Sequence, residues 1–171
     1  MQECTVNEEV METQILLRPE QLGRHLSSML MKSLETELQD HITDGHGYIL
    51  SIHKILDIQE ALVCNLVPNV IFSLRVSLFL LYPEVNKTLL TRVDLIFKHG
   101  IFTSHQKIKC IIPIDVLKKQ GYELETEFTT IHYRNATRSI HKHDDLMVRL
   151  LDIRIENGIF SCISEVVESE E

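Results

Sequence analysis

The amino-acid sequence predicts two units of different class: an α+β domain over residues 1–83, with one main helix on a small antiparallel sheet, and an all-β barrel of the OB type over residues 84–171. Three observations predict this. Apolar residues at helical spacing are confined to one long stretch, and alternation with period two fills most of the rest. Tyr82-Pro83 then interrupts that alternation at mid-chain, where proline removes a ladder donor. A length of 171 residues accommodates two small cores, and 44% apolar with 25% charged residues is a globular composition that excludes a wholly disordered or collagen-like chain.

In the first unit, residues 14–18 read as a short strand, and Pro19 with Gly23 turns the chain. Leu22, Leu26, Met29, Leu30, Leu34 and Leu38 then recur on one face of a helix, which should end near Asp40 because glycines at 45 and 47 follow in a turn. From Tyr48 the period changes to two. Residues 48–54 and 61–66 read as two short strands, and a third carries Val70, Phe72, Leu74, Val76, Leu78 and Leu80 on one face. Burying each leucine contributes about 1.5–3 kcal/mol, so a single helix stripe laid on such a face makes a stable layer.

Beyond Pro83 everything reads as β except a short helical stretch at 115–120. In residues 88–97, Leu89, Thr91, Val93, Leu95 and Phe97 alternate with Thr88, Leu90, Arg92 and Asp94, and Lys98-His99-Gly100 turns the chain into a return strand at 101–103. Further strands fit 107–112, 128–133, 146–155 and 159–163, with Asn157-Gly158 as a hairpin turn between the last two. That is the content of a small OB-type barrel. The acidic tail, 165–171, reads as loose.

Net charge is −8, unevenly spread: residues 1–83 hold 5 basic and 11 acidic side chains, and residues 84–160 hold 12 and 10. The acidic first half suits a protein partner, whereas the second tolerates phosphates. The most apolar run, 69–82, contains Arg75 and two serines and reads as a strand, so no membrane partner is expected. Cys4, Cys64, Cys110 and Cys162 form no C-x-x-C pair, which gives little basis for a zinc site or a disulfide framework. The N-terminus is acidic where a signal peptide is basic and then apolar, so the expected setting is intracellular and reducing.

No nucleophile elbow, phosphate-binding loop, dinucleotide fingerprint or zinc-protease motif is present, so the chain is expected not to be an enzyme and to need no cofactor. The run from His141 to Asp145 places His141 and His143 at strand spacing but offers no third ligand, and reads as a solvated loop with no metal. Cys110 lies in an alternating apolar run and reads as a buried hydrophobe rather than a nucleophile. The chemistry the second half does support is single-stranded RNA binding, in which aromatics stack on bases and cations follow the backbone. Its candidates are Lys98, His99 and Phe102 around the first hairpin, Lys107 and Lys109 on the next strand, and Tyr133, Arg134 and Arg138 later.

From Ile15 to about Val167 the order of parts resembles the stalk subunit of DNA-dependent RNA polymerase, the family formed by the seventh-largest subunit of RNA polymerase II and its archaeal counterpart. The residues carrying the resemblance are Ile15-Leu16-Leu17-Arg18-Pro19 with Gly23, Gly47-Tyr48, the isoleucine-rich strand ending near Asp57-Ile58, the linker Pro83, Gly100-Ile101-Phe102, and Asp144-Asp145 followed by Arg149. No gap is needed from Ile15 to Phe102. Two departures stand out: residues 59–68, a glycine-rich loop in the family, contain no glycine, and Asn86 stands where the family has a glycine.

The resemblance implies a non-catalytic nuclear subunit with an N-terminal tip domain and a barrel of the S-one RNA-binding type. Its docking residues would be Pro19, Leu22, Gly23, Ile58, Leu62, Leu66 and Val67. Its partners would be the fourth-largest polymerase subunit, the polymerase core near its clamp, and nascent single-stranded RNA. The short C-terminal extension favours polymerase II over I and III. The alternatives are the equivalent stalk subunit of RNA polymerase I or III or of an archaeal or viral polymerase, a free RNA-binding regulator, and a small enzyme using Cys110 or a histidine cluster.

Overall fold

The computed structural model describes residues 2–45, 47–64, 67–127 and 130–167. Their contacts divide into two units, Thr5–Tyr82 on one side and Pro83–Glu171 with the residues before Thr5 on the other. Among the described residues no helix is long and apolar enough to cross a membrane.

The first unit runs β1 (Thr5–Leu17), a 3₁₀ turn (Pro19–Gln21), α1 (Leu26–Leu38), β2 (Tyr48–Val63) and β3 (Val70–Tyr82). Its antiparallel sheet has the order β1-β3-β2. Leu30 and Leu34 of α1 are fully buried against Ile15, Leu17, Ile49, Phe72, Leu74, Val76, Leu78 and Leu80, with Leu26 and Leu38 at the margin. This is the helix stripe expected from spacing, without Leu22 and Met29. Leu22 lies outside the helix because its N–H closes the 3₁₀ turn on Pro19 O at 3.1 Å, and both Leu22 and Met29 are more than a third exposed.

Two strands differ from the sequence reading. β1 begins at Thr5, well before residue 14, because its backbone pairs with the whole of β3, from Thr5↔Tyr82 to Leu17↔Val70. Its polar residues lie on exposed positions of an edge strand. β2 is one 16-residue strand, not two short strands and a loop. The register on β3 slips at Ile49/Ser51, Ile52/Lys54, Ile55/Asp57 and Ile58/Glu60, one bulge every third residue. Each bulge absorbs an extra residue. Ile49, Ile52, Ile55 and Ile58 therefore stand opposite Leu80, Leu78, Val76 and Leu74 of the core-facing side. The period of β2 is three, and the strand runs without a break through residues 55–60, between the two stretches read as separate strands, to Val63, into the segment that is a loop in the resembled family.

The second unit contains β4 (Thr88–Phe97), β5 (Gly100–His105), β6 (Ile108–Pro113), α2 (Ile114–Lys119), β7 (Glu123–Glu127), β8 (Thr130–Arg134), β9 (Ser139–Ile140), β10 (Asp145–Glu156) and β11 (Ile159–Val166). Five strands close a barrel in the order β10-β11-β6-β5-β4. β6 and β11 pair in parallel and every other neighbouring pair is antiparallel, an OB-like barrel. Inward positions hold Val93, Ile101, Thr103, Ile108, Cys110, Ile112, Leu146, Val148, Leu150 and Cys162, all buried.

The strand expected at 128–133 does not enter the barrel. β8 lies instead in a separate sheet, β7-β8-β9, between α2 and β10. Its partner β7, of sequence ELETE, lacks the apolar alternation that marks a strand, so sequence reading missed it; Phe128 lies outside the described residues. Residues 2–4 also pair with the barrel: Cys4 N–H donates to Thr88 O at 2.9 Å and Thr88 N–H to Gln2 O at 3.0 Å. Asn157 and Gly158 both have positive φ, 52° and 71°, as an Asn-Gly hairpin turn requires. Glu165, read as loose tail, belongs to β11 and bonds Arg149 at 2.9 Å; residues 168–171 lie outside the described residues.

Asn86, in place of the expected glycine, adopts φ 67°, a left-handed conformation that asparagine tolerates better than most residues. At Gly100 no side chain fits: φ is 149°, and a Cβ would stand 2.3 Å from Ile112 O on the paired strand.

Two stability outcomes follow. Leu34→Ala should lower the unfolding free energy by about 2–5 kcal/mol in urea titration, the range for truncating a buried leucine. Gly100→Ala combines backbone strain with a backbone clash and should cost upward of about 1–3 kcal/mol. An unchanged melting temperature for Gly100→Ala would refute the close approach of β5 to β6.

Candidate nucleic-acid interface

In the barrel, alternation turns every second residue of β4, β5 and β6 outward. On β5 Ile101 and Thr103 are buried while Phe102 is 41% exposed; on β6 Ile108 and Cys110 are buried while Lys109 is exposed. A bulge between Val93 and Leu95 shifts the face of β4, so that Leu95, expected inside, is 50% exposed and pairs with Phe102. The same shift brings Phe97 out. Its ring stacks on Phe102 with centroids 4.9 Å apart and planes at 16°, and His99 meets Phe97 edge-on at 6.3 Å. Phe97 is the aromatic that sequence reading missed; a bulge in an apolar strand leaves no local signature, since the extra residue, Asp94, looks like any solvent-facing position.

The hairpin residues Lys98 and His99, together with Lys107 and Lys109, are exposed on this strand–turn–strand segment. Lys98 and Lys109 make no ion pair among the described residues, so their charge is open to an anion. Together with the partly exposed Phe97–Phe102 stack they offer what a single strand needs, a π face for a base and ammonium groups for phosphates.

Three candidates drop out of that surface. Tyr133 is buried (1% exposed) rather than stacking outward, and its phenol donates to Phe97 O at 3.0 Å and Lys98 O at 3.3 Å. It braces the β4–β5 turn from below. Burial also holds its phenol above the ordinary tyrosine range. Arg134 faces Glu125 at 3.8 Å, and Arg138 donates to Asp145 O at 3.0 Å, so each already has an acceptor. Both lie on or beside the inserted sheet, whose strand β8 was expected in the barrel.

The expected docking residues gather at one end of the first unit. Val70 pairs with both Leu17 and Val63, which places the segment after Leu17 and the β2–β3 connection at the same end of the sheet. There Leu22, Ile58, Leu62 and Val67 are 38%, 43%, 51% and 51% exposed, and Val63, which sequence reading did not single out, is 70% exposed. Pro19 opens the 3₁₀ turn, and nothing lies within 4 Å of a Cβ placed on Gly23. Ile58 also lines a groove of about 520 Å³ with Ser27, Leu30, Met31, Ile55, Leu56 and Asp57. Leu66 lies outside the described residues. Exposed apolar side chains gathered at one end of a sheet are of the kind found at protein contact surfaces.

The remaining chemically active side chains are accounted for by packing. Cys110 is buried, and a hydrogen bond with Cys162, reinforced by desolvation, pushes its thiol far up, the opposite of an activated nucleophile. His141 is exposed and stacks on the buried His132 at 5.0 Å; His132 Nε2 lies 3.2 Å from Glu125. Among the described residues no three His, Cys, Asp or Glu side chains stand close enough to hold a metal.

No protein-family model matches the chain. Over 146 residues it is 22% identical to a protein of Acanthamoeba polyphaga mimivirus named "Putative DNA-directed RNA polymerase subunit L376", the aligned region covering 84% of this chain and 72% of that protein.

The position of Tyr133 makes a two-part expectation. Tyr133→Phe should destabilise the barrel by about 0.5–1.5 kcal/mol, the net worth of a hydrogen bond. In the folded protein its ultraviolet phenolate transition should lie above about pH 10. Because the folded state then holds the proton more tightly than the unfolded one, this group's contribution to stability is complete below that pH and lost as pH rises through the folded value. A tyrosine titration indistinguishable from the urea-unfolded chain would contradict the burial.

Proposed function

We propose that this chain is a subunit of a DNA-directed RNA polymerase, of the stalk type, whose barrel meets nascent single-stranded RNA through the Phe97–Phe102 stack, Lys98, His99 and Lys109. The observation that carries the reading is the relationship to the mimiviral polymerase protein, which extends over 84% of the chain and so cannot be confined to either unit. The OB-like strand order and the aromatic and cationic face support the RNA role, and the exposed apolar end of the Thr5–Tyr82 unit supports docking on protein.

On this reading the chain makes and breaks no bonds. It holds RNA while the polymerase core performs the chemistry. Its partners are that core near the clamp and a small helical subunit, the counterpart of the fourth-largest of RNA polymerase II. It works where its polymerase transcribes, the nucleus for an enzyme of the polymerase II kind. The viral origin of the relative favours a second version, the equivalent subunit of a viral polymerase, with the same division of labour between the two units.

Affinity purification of the tagged chain from its own cells, followed by mass spectrometry, tests the assignment. The largest polymerase subunits and a small helical protein should co-purify in stoichiometric amounts; recovery as a lone monomer would overturn it. Replacing Leu62 and Val67 together by aspartate should abolish that recovery and leave thermal unfolding unchanged, since both side chains are half-exposed.

A further inference from the structure

Strand register aligns one outward row across all five strands of the barrel. Arg92 of β4 stands opposite Ser104 of β5, Ser104 opposite Lys109 of β6, Lys109 opposite Ser161 of β11, and Ser161 opposite Arg154 of β10. The inward neighbours, Val93, Thr103, Cys110 and Cys162, are all buried, which places this row on the outer surface. Its order is cation, hydroxyl, cation, hydroxyl, cation. Beside it runs a second outward row, Leu95, Phe102, Ile111 and Ile163, in the same register.

We infer that the row Arg92, Ser104, Lys109, Ser161, Arg154 is the track for the phosphodiester backbone of single-stranded RNA, which crosses the strands from β4 to β10 with its bases turned onto the row containing Phe102. The inference rests on the RNA-binding reading above and extends it to two arginines and a direction. Neighbouring strands are spaced about 4.8 Å apart, so the cations recur about every 9–10 Å with a hydroxyl donor between them. Between Arg92 and Arg154 a polyanion lying across the strands meets only donors, with Asp145 opposite Arg92 on β10 marking the end of the row, whereas one lying along β5 or β6 would leave the row within one or two residues.

Arg92 and Lys109 make no ion pair among the described residues. Arg154 donates its Nε–H to Asp152 at 3.2 Å, which orients the guanidinium and leaves further donors for phosphate. The adjoining apolar row selects a single strand over a duplex, because only unpaired bases can turn onto it. Asp152, at the β10 end of that row, limits the apolar track to four strands.

Fluorescence anisotropy of the full chain with a labelled single-stranded oligouridylate, repeated over a salt series, tests this. Replacing Arg92 and Arg154 together by glutamine should weaken binding about tenfold and reduce the salt slope by about 1.4, at about 0.7 per lost phosphate contact. The charge-matched control, Lys118 and Lys119 both to glutamine, should bind like wild type. If Phe102→Ala and Lys109→Gln weaken binding but the double arginine variant matches the control, the track is wrong and the RNA-binding reading stands. Absence of wild-type binding overturns both, and tighter binding of oligothymidylate than of oligouridylate overturns the assignment to RNA. Circular dichroism and melting curves matching wild type show that the exposed substitutions leave the fold intact.

Discussion

Parallel pairing of β6 with β11 is the contact on which the second unit depends. It is short, three residue pairs centred on Cys110↔Cys162, and it joins the first three strands of the barrel to the last two. Without it β6 and β11 would present open edges, whose unpaired backbone groups invite association with other chains. Parallel strands cannot be linked by a tight turn. The long path from β6 to β11 is filled by α2, the β7-β8-β9 sheet and β10. Closure also sets the register of outward residues, because a slip of one position would exchange buried Cys110 and Cys162 with exposed Lys109 and half-buried Ser161.

The first unit solves a different problem. A three-stranded sheet has two edges and a single helix to cover it, and α1 reaches only part of the face of β3. Part of what remains uncovered lies at the end of the sheet shared by the β2–β3 connection and the segment after Leu17, where Ile58, Leu62, Val63 and Val67 are exposed; Val6 and Val10 of β1 are exposed elsewhere. The regular bulges of β2 keep isoleucines on the helix side while the strand advances three residues for every two of β3. The edge of β2 is thereby an irregular template for another strand. Exposed apolar side chains are tolerated where a partner covers them and are costly to solubility otherwise.

The two surfaces differ in chemistry. The end of the first unit proposed for docking is apolar within an acidic half, and the barrel surface proposed for RNA combines aromatic rings with ammonium and guanidinium groups. Tyr133 links structure and surface in the barrel: its buried phenol fixes the two carbonyls of the turn that carries Lys98 and His99. A hairpin held from below presents its exposed side chains with less conformational entropy to lose on binding.

By itself the sequence determined the division near Pro83, the α1 stripe of Leu26, Leu30, Leu34 and Leu38, the alternation of β3, the Asn157-Gly158 turn and the inward placement of Cys110. Each of these is written in local spacing or backbone preference, which act over a few residues. Only the tertiary structure decided that Leu95 and Phe97 face outward, that Tyr133 is buried, that β2 repeats every three residues and that β8 leaves the barrel. These depend on which strand lies alongside and in what register. A bulge costs one residue, carries no distinctive side chain, and reverses every inside–outside assignment beyond it, so local pattern cannot reveal it and pairing with a distant strand can.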